Sequence, residues 1–399
     1  MKKLIPIAFS LLSTVAYAQN EFKKAIPFAE NQTDVMLKAI PVAKSTATKP
    51  NVVSPRTLDA KGNLVLISSR DWVSGFFPGE LWYLYEYTHN NKWLKAAKEY
   101  TTNIEPEQYD KGTHDVGFKI YCSVGNGYRL TKDQHYKEVI IQAAKTLSTR
   151  FNPKVGTIKS WDNRKEWKYP VIIDNMMNLE LLFEASKLSG DSTFYKIAVS
   201  HANTTMKNHF RPDYSSYHVI DYDTETGAVV HKQTHQGFAD SSAWARGQGW
   251  GLYGYTLCYR ETKNPAYLKQ AEAIAHFIFS NPNLPKDKVP YWDFNDTAIP
   301  NVPRDASAAA LMASALYELS TYSTNGKQYK KTADQIMSSL TKSYQAKPGE
   351  SKGFILLHST GHKPANSEID VPISYADYYY LEALLRQDRL AKGKPVVDL

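Results

Sequence analysis

Two aspartates lie in segments of the sequence where an ionised carboxylate is energetically unfavourable, which suggests a functional role. Asp174 follows Ile173 in an apolar stretch, and Asp115 follows His114. Desolvation would raise the pKa of Asp174 and hold it protonated, as a general acid requires, although a helix N-terminus opposes that shift. Two facing carboxylates also raise the pKa of one partner, which is typical of acid/base chemistry on sugars. We therefore predict that Asp174 and Asp115 are catalytic, with helix N-capping as the alternative for each.

A glycine-rich run could contact a ligand. In Arg-Gly-Gln-Gly-Trp-Gly, residues 246–251, glycines let the backbone approach a ligand and Trp250 offers a flat apolar face. Arg246 could clamp a carboxylate through two hydrogen bonds or form a structural ion pair. The run lacks the Lys-Ser/Thr of a phosphate loop and follows no strand, which excludes nucleotide binding. Further sugar-contact candidates are Trp72, Trp244, His218 and the loop Gln233-Thr234-His235-Gln236-Gly237.

Composition excludes several classes of protein. The chain has 399 residues, of which 42% are hydrophobic and 22% charged, as in a soluble globular protein. Its formal charge of +8 falls to +6 without Lys2 and Lys3, and the basic residues form no blocks, so no nucleic-acid partner is expected. No His/Cys cluster has the spacing of zinc ligands, so neither a metal nor another cofactor is expected.

The first 18 residues resemble a secretory signal peptide. Lys2 and Lys3 precede an apolar run, and Ala16-Tyr17-Ala18 forms a cleavage site. The residue directly after that site is Gln19 and not the cysteine of a lipoprotein, and no later apolar run reaches the ~20 residues of a membrane span, so no membrane anchor is expected. We predict an exported protein, periplasmic or secreted, with the periplasm preferred. Cys122 and Cys258 are either two buried thiols or a disulfide.

A repeated pattern positions these residues. Five times, an apolar helix and a short turn with Asn, Asp or Gly precede an aromatic residue that opens a second helix. The markers are Trp93, Tyr136, Tyr195, Tyr267 and Tyr329. The first helix of each pair is apolar all round and therefore inner, whereas the second is amphipathic and outer. With a sixth inner helix over 374–385 and an outer helix within 21–44, the pattern predicts an all-α fold, a six-hairpin α/α toroid forming one domain over 19–399.

The repeat brings the candidate residues to one end of the ring. Trp72, Asp115, Asp174 and Arg246 each lie 21 residues before an aromatic marker. Arg304 and Asp305 lie 25 and 24 residues before Tyr329, and Ser374 opens the sixth inner helix. Side chains at equivalent positions should emerge at the same mouth, so we predict a single site there.

With these motifs in order, the chain resembles the unsaturated glucuronyl hydrolases of glycoside hydrolase family 88. The resemblance spans the mature chain and rests on four segments, Arg70-Asp71-Trp72-Val73-Ser74-Gly75-Phe76, His114-Asp115-Val116-Gly117-Phe118, Ile173-Asp174-Asn175-Met176-Met177-Asn178 and Ser242–Trp250. The family's fold is a six-hairpin α/α barrel, in agreement with the repeat. The resemblance implies that His114, His218, Thr234, Gln236, Arg246 and Trp250 line a sugar site with Trp72 and Trp244 as walls.

The resemblance also implies an unusual reaction. The expected substrate is a lyase-generated oligosaccharide with a C4=C5 double bond on its terminal uronate, and hydration of that bond starts the release of the sugar. Asp174 would protonate C4 and then accept a proton from the water that adds at C5. Asp115 would stabilise the positive charge shared by C5 and the ring oxygen, or act as a nucleophile.

The sequence is compatible with several substrates. Fragments of heparin or heparan, chondroitin, hyaluronan and ulvan all fit, and His362 and Lys363 could meet an anionic group or lie in a solvated loop. The alternatives to this activity are an unsaturated rhamnogalacturonyl hydrolase, an α/α-toroid polysaccharide lyase, and a protein that binds sugars on its tryptophans without turnover. The sequence does not determine the oligomeric state.

Overall fold

The structure, a computed structural model, describes residues 7–162 and 165–397, and the side chains from residue 24 onward. In chain order the α-helices are α1 (Ile7–Ser45), α2 (Phe76–Thr88), α3 (Asn91–Thr102), α4 (Val116–Ile120), α5 (Asn126–Thr131), α6 (Gln134–Ser148), α7 (Leu179–Ser189), α8 (Ser192–Asn208), α9 (Ala245–Thr262), α10 (Pro265–Ser280), α11 (Ala306–Leu319), α12 (Gly326–Ser343) and α13 (Ser374–Ala391). A π-helical turn, Tyr121–Gly125, joins α4 to α5, and a 3-10 helix, Ile173–Asn178, leads into α7. Lys2 and Lys3 of the predicted signal peptide lie outside the described residues.

Short strands connect these helices. They are β1 (Val52–Leu58), β2 (Leu64–Ser68), β3 (Phe151–Asn152), β4 (Thr157–Ile158), β5 (Pro170–Ile172), β6 (Val219–Tyr222) and β7 (Val229–Gln233). β1 pairs with β2 and β3 with β4, and the remaining three form an antiparallel sheet in the order β5-β6-β7.

Within the described residues, six inner helical segments form a closed ring. α13 contacts α2, α2 contacts the α4–α5 segment, and that segment contacts α7. α7 contacts α9, α9 contacts α11, and α11 contacts α13. α3, α6, α8, α10 and α12 each pack on an inner helix, and α1 contacts α13 and α2 as the sixth outer helix. The predicted six-hairpin α/α toroid is confirmed.

Burial separates inner from outer helices as the sequence pattern predicts. α11 is buried along its whole length, whereas α12 buries one face that includes Ala333, Ile336 and Leu340. The free energy of burying apolar surface therefore fixes which helix of each pair lies inside. Between residues 7 and 162 and between 165 and 397, no helix combines the length with the hydropathy that a membrane span requires.

Four turns from inner to outer helix share one design. The inner helix ends at a residue with left-handed backbone conformation, and the next residue caps the outer helix through its side-chain oxygen. The cap accepts a backbone N–H that the helix itself cannot pair. The four turns are His89-Asn90, Lys132-Asp133, Gly190-Asp191 and Lys263-Asn264.

The aromatic marker of the third hairpin was assigned to the wrong residue. Trp93, Tyr136 and Tyr267 are buried three positions after their cap residues, as predicted. In α8 the residue at that position is Phe194, which is buried, whereas Tyr195 is exposed. The third residue after the cap faces the inner helices, so the register of the repeat is set by the cap.

Cys122 and Cys258 are free thiols, and both are buried. Of the two readings of the cysteines, the buried pair of thiols is therefore confirmed. Burial raises the pKa of the Cys258 thiol, so it stays protonated and unreactive at neutral pH.

Two uncharged histidines are buried beneath the strands. His201 Nδ1 accepts the Ile158 N–H at 3.0 Å, and His209 Nε2 lies 3.0 Å from the carbonyl oxygen of Val171. Burial lowers the pKa of His201 well below its usual range and that of His209 to about 3. Both rings are therefore neutral in the folded protein at ordinary pH.

His209 should make the protein sensitive to acid. Its folded pKa lies below the unfolded value of about 6.5, so the unfolded chain binds the proton first and stability falls as the pH drops below 6.5. We expect this group alone to lower the free energy of unfolding by about 2 kcal/mol between pH 7 and pH 5.

Urea denaturation at both pH values measures this effect. His209→Gln should remove that part of the pH dependence, whereas His276→Gln, at an exposed position of α10, should leave it unchanged. An equal loss of stability between pH 7 and pH 5 in His209→Gln and the unmodified protein would contradict the assignment.

Candidate active site

Strand pairing brings Asp174 to His218. Ile172 at the end of β5 pairs with Val219 at the start of β6, and the Ile173 N–H donates to the His218 carbonyl at 3.1 Å. As a result Asp174 Oδ2 lies 3.5 Å from His218 Nε2. Both side chains are buried, and neither of these two atoms makes a hydrogen bond within the described residues.

The hydrogen bonds of His218 determine its tautomer. Its Nδ1 accepts two backbone N–H groups, from His235 at 3.0 Å and from Gln236 at 3.1 Å. A nitrogen that accepts carries no proton, so the single proton of the neutral ring is on Nε2. His218 therefore presents an N–H to Asp174.

Asp115 and His114 form a second pair of the same kind. Asp115 precedes α4, its Oδ2 accepts the Thr113 hydroxyl at 2.7 Å, and its Oδ1 lies 3.2 Å from His114 Nε2. His114 is fully buried, and its Nδ1 lies 3.3 Å from the hydroxyl of Ser160. Each of the two predicted catalytic carboxylates thus faces the Nε2 atom of a buried imidazole.

The pKa of Asp115 lies below its ordinary value. Burial acts to raise it, but His114, the hydrogen bond from Thr113 and the positive charge of Lys119 together outweigh burial. Asp115 is therefore an anion at neutral pH. A facing carboxylate is expected to raise the pKa of one member of the pair, and that member is not Asp115, because the groups that stabilise the anion dominate its surroundings.

The segments that carry the two aspartates pack directly on each other. The Phe118 N–H donates to Asn178 Oδ1 at 2.8 Å. A Cβ atom on Gly117 would lie 2.6 Å from the Cα of Asn178, so only glycine allows this approach. The two carboxylates therefore belong to one rigid unit made by the starts of two neighbouring inner helices.

Helix capping does not explain either aspartate. Asp115 precedes α4 without accepting a hydrogen bond from its backbone, and Asp174 lies inside the 3-10 helix. Asp305, at the same mouth, is a true N-cap, because its side chain accepts hydrogen bonds from the backbone N–H groups of Ser307 and Ala308. The N-cap alternative is therefore wrong for Asp115 and Asp174.

Arg246 lies in the first turn of α9 and forms the structural ion pair that was one of its two readings. Its Nη1 donates to Asp305 Oδ2 and to the Thr360 carbonyl, both at 2.6 Å, and its Nη2 donates to the Gly361 carbonyl at 2.6 Å. The side chain is 1% exposed. Nε makes no hydrogen bond in the described residues, so it is the atom with donor capacity to spare.

Aromatic rings enclose the mouth. Trp72 is half-buried and lies 5.0 Å from Tyr375 and 5.4 Å from Phe118, measured between ring centroids. Trp244 is buried, and its ring lies 4.8 Å from that of His218. Trp250 is fully buried against Phe118 at 5.2 Å, so it is a floor residue with no open face.

The predicted loop residues form a wall of the site beside His218. Thr234 Oγ1 accepts the Gly237 N–H at 2.8 Å, which closes a tight turn. Gln236 Nε2 donates to the Gly361 carbonyl at 3.2 Å, and the His362 ring lies 2.9 Å from the carbonyl of His235. The loop before α9 and the loop before α13 are thus joined beside the site.

Several buried polar atoms at this mouth lack hydrogen-bond partners within the described residues. An unpaired buried polar group costs about 1–3 kcal/mol, so a cluster of them indicates that a ligand supplies the partners. The atoms are His114 Nε2, Asp174 Oδ2, His218 Nε2, Arg246 Nε, Trp250 Nε1, Ser359 Oγ, Ser374 Oγ and Tyr375 Oη.

Sequence reasoning missed three features of the site. Tyr375 is the second residue of α13, and the repeat pointed only to its neighbour Ser374. Trp161 lies 5.4 Å from the ring of His235 and extends the aromatic wall. Ser160 joins the two halves of the site, and no local pattern indicates this, because its role depends on long-range strand pairing.

The chain is similar to known proteins in both sequence and structure. The model of Glycosyl Hydrolase Family 88 matches residues 58–393. An unsaturated glucuronyl hydrolase of Formosa agariphila is 55% identical over 84% of this chain and 85% of its own. An unsaturated chondroitin disaccharide hydrolase of Streptococcus pneumoniae is 33% identical over 85% and 86%. The crystal structure of an unsaturated glucuronyl hydrolase specific for heparin has a TM-score of 0.88 and 48% identity, covering 95% of this chain and 99% of that one.

Proposed function

The chain belongs to glycosyl hydrolase family 88, and we propose that it uses Asp174 and Asp115 to remove a 4,5-unsaturated glucuronate from lyase-generated oligosaccharides. The observation that carries this assignment is the difference between the two carboxylates. Asp115 Oδ2 accepts a hydrogen bond from the Thr113 hydroxyl, whereas Asp174 Oδ2 makes no hydrogen bond within the described residues. Asp174 is thus the group with an oxygen available for proton exchange.

The reaction begins with proton transfer to carbon. Asp174 gives its proton to C4 of the vinyl ether, and the electron pair of the double bond forms the new C–H bond. Positive charge is then shared between C5 and the ring oxygen, and the carboxylate of Asp115 stabilises it. A negative charge that is already oriented needs no reorganisation at that moment, which is the general advantage of an electrostatically prepared site.

Water completes the hydration. A water molecule adds at C5 and returns a proton to Asp174, so the enzyme is restored after one turnover. The product is a hemiketal at C5, and its ring opens to a ketone at C5 and a hemiacetal at C1. Breakdown of the hemiacetal to an aldehyde then breaks the bond to the remaining saccharide and releases it without further catalysis. The chain therefore acts as a hydratase at the enzyme step and as a glycosidase in its outcome.

The imidazoles of His114 and His218 act as oriented donors. Each ring has its Nε2 within 3.5 Å of a catalytic carboxylate and its Nδ1 near a donor of the protein. An N–H that faces a carboxylate stabilises its anionic form. This interaction favours Asp115 as an anion, and at Asp174 it holds an N–H 3.5 Å from the oxygen Oδ2.

Tyr375 is a further candidate for substrate contact. Its ring lies against Trp72 and 5.2 Å from the guanidinium carbon of Arg246, and its hydroxyl has no partner within the described residues. Burial raises the pKa of Tyr375, so the phenol remains a hydrogen-bond donor at neutral pH. We assign this hydroxyl to an acceptor oxygen of the bound uronate.

Heparin or heparan fragments are the substrates that we rank first. The heparin-specific relative is 48% identical, against 33% for the chondroitin disaccharide hydrolase. Lys363, a candidate for contact with sulfate, donates to Asp296 at 3.2 Å and lies over the ring of Trp292. Its charge is thus already compensated, which disfavours recognition of an additional sulfate at that position.

We also propose export to the periplasm, from the Lys-Lys start, the apolar run and Ala16-Tyr17-Ala18. Products of lyases are short enough to be finished there. A mature N-terminus at Gln19, measured by mass spectrometry of the protein recovered from its native envelope fraction, supports this localisation. An intact Met1 in the functional protein would refute it.

Asp174→Asn should abolish turnover without unfolding the protein. Loss of general acid–base catalysis typically lowers kcat by about 100- to 10,000-fold. The measurement is the ultraviolet absorbance of the conjugated double bond, which hydration removes, on disaccharides from heparin, chondroitin and hyaluronan lyase digests. We expect the heparin-type disaccharide to give the largest kcat/KM.

Asp191→Asn provides the matched control for this substitution. Asp191 is an exposed N-cap of α8, and Asn caps a helix equally well, so its activity should equal that of the unmodified protein. Turnover retained in Asp174→Asn contradicts the assignment. A rise in absorbance on intact polysaccharide identifies a lyase and contradicts the proposed reaction.

Tyr375→Phe should separate binding from stability. Removing an unpaired buried hydroxyl should leave the melting temperature unchanged or raise it, while the loss of one hydrogen bond to substrate lowers kcat/KM by about 2- to 12-fold. Tyr255→Phe is the reverse control, because the Tyr255 hydroxyl donates to the Ala202 carbonyl at 3.0 Å away from the site. It should lower stability by about 1 kcal/mol and leave kcat/KM unchanged. A lower melting temperature with an unchanged kcat/KM in Tyr375→Phe would refute the contact with the substrate.

A further inference from the structure

Ser160 lies where the two halves of the site meet. It is fully buried and follows β4 by two residues. Its carbonyl accepts the His114 N–H at 3.3 Å, and its own N–H donates to the Pro170 carbonyl at 2.8 Å. One residue is therefore bonded through its backbone both to the segment of Asp115 and to the strand that leads to Asp174.

The hydroxyl of Ser160 repeats this bridge. Its oxygen accepts the Ile172 N–H at 3.0 Å and lies 3.3 Å from His114 Nδ1. The hydroxyl has one proton to donate. When the hydroxyl donates it to His114 Nδ1, that nitrogen is the acceptor and carries no proton of its own. The proton of the neutral ring then lies on Nε2, which faces Asp115 Oδ1 at 3.2 Å.

Electrostatics favours this direction of the hydrogen bond. In the other tautomer, Nδ1–H would donate to Ser160 and the lone pair of Nε2 would point at the carboxylate of Asp115. A lone pair that faces an anion is repelled by it, whereas an N–H that faces the same anion is attracted to it. The carboxylate and the hydroxyl thus select the same tautomer from opposite sides of the ring.

We propose that Ser160 is a positioning residue, which sets the tautomer of His114 and holds the Asp115 segment against the strand leading to Asp174. The inference rests on the proposed function only for its kinetic consequence. His218 reaches the same state through two backbone donors, which no side-chain substitution can remove. The tautomer of His114 can therefore be tested by removing a single side-chain oxygen, that of Ser160.

Ser160→Ala removes the donor to His114 and leaves the ring free to invert its tautomer. We expect kcat on an unsaturated disaccharide to fall by about 10- to 100-fold, the range typical of residues that orient a functional group, with KM changed less than twofold. The acid limb of the pH profile of kcat/KM should move to higher pH, because His114 contributes to keeping Asp115 ionised.

Thr157→Val is the matched control. Thr157 lies three residues earlier in the same segment, is fully buried, and its hydroxyl makes no hydrogen bond within the described residues. Both variants lose a buried hydroxyl, but only Ser160→Ala loses the hydroxyl that links His114 to the Ile172 N–H. Ser160→Thr restores the hydroxyl and should recover most of the activity and the original pH profile.

Nitrogen NMR of the imidazoles gives a readout that does not depend on turnover. In the full chain labelled at histidine, His114 should show an unprotonated Nδ1 and a protonated Nε2, with its signal assigned by loss in His114→Gln. Ser160→Ala should shift this population toward the other tautomer, and Thr157→Val should not. A protonated Nδ1 in the unmodified protein overturns the inference.

The kinetic measurements test the positioning role of Ser160 independently of the NMR measurement. A kcat of Ser160→Ala within twofold of the unmodified protein, or equal to that of Thr157→Val, overturns the positioning role even if the protein is an active hydrolase. If the unmodified protein consumes no unsaturated disaccharide, the proposed function fails, and the NMR measurement still confirms or refutes the tautomer that Ser160 imposes.

Discussion

Burying the guanidinium of Arg246 obliges the protein to surround it with acceptors, and these acceptors come from two parts of the ring outside the helix that carries it. Asp305 supplies the counter-charge, and the Thr360 and Gly361 carbonyls accept the remaining bonds. A buried charge without such partners would cost several kcal/mol. Because α9, α11 and the loop before α13 all contribute to one side chain, their relative positions at the mouth are fixed together. Asp305 also caps α11, so the same carboxylate serves both the helix and the ion pair.

The other side of the mouth is fixed by hydrogen bonds between neutral groups. β5 and β6 bring Asp174 to His218, and Ser160 joins β5 to the segment of Asp115. Neutral imidazoles can be buried at little electrostatic cost, yet each still presents an N–H to a carboxylate. Part of the stabilisation of the Asp115 anion therefore comes from neutral donors, beside the buried charge of Lys119. Neutral donors suit a reaction in which positive charge develops on the substrate, since a cation in their place would oppose it.

How far the sequence could predict this structure depends on the range of the interactions. The toroid follows from local signals, because apolar periodicity separates inner from outer helices and Asx caps mark the turns. The placement of Asp115, Asp174 and Arg246 at one mouth follows from the same repeat. The tautomer of His218, the bridge at Ser160 and the partner of Arg246 depend on contacts between residues far apart in the chain. The misassigned Tyr195 shows the limit of the local signal, since the aromatic pair at 194–195 does not reveal which ring turns inward.

The unpaired polar atoms at the mouth bear on specificity. Hydroxyl, indole and imidazole groups such as those of Tyr375, Trp250 and His218 are buried there without partners among the described residues, so each has an N–H or O–H that it can donate to a ligand. A substrate that offers acceptors at the right places satisfies these donors, whereas a close analogue that lacks one leaves a buried group unpaired. Such sites discriminate by the missing hydrogen bond more sharply than apolar pockets discriminate by size. Under the proposed function, selectivity for the terminal unsaturated uronate is expected to arise where these atoms converge. The neighbouring loop of residues 359–363 is held in place there, because its Thr360 and Gly361 carbonyls accept hydrogen bonds from Arg246 and Gln236.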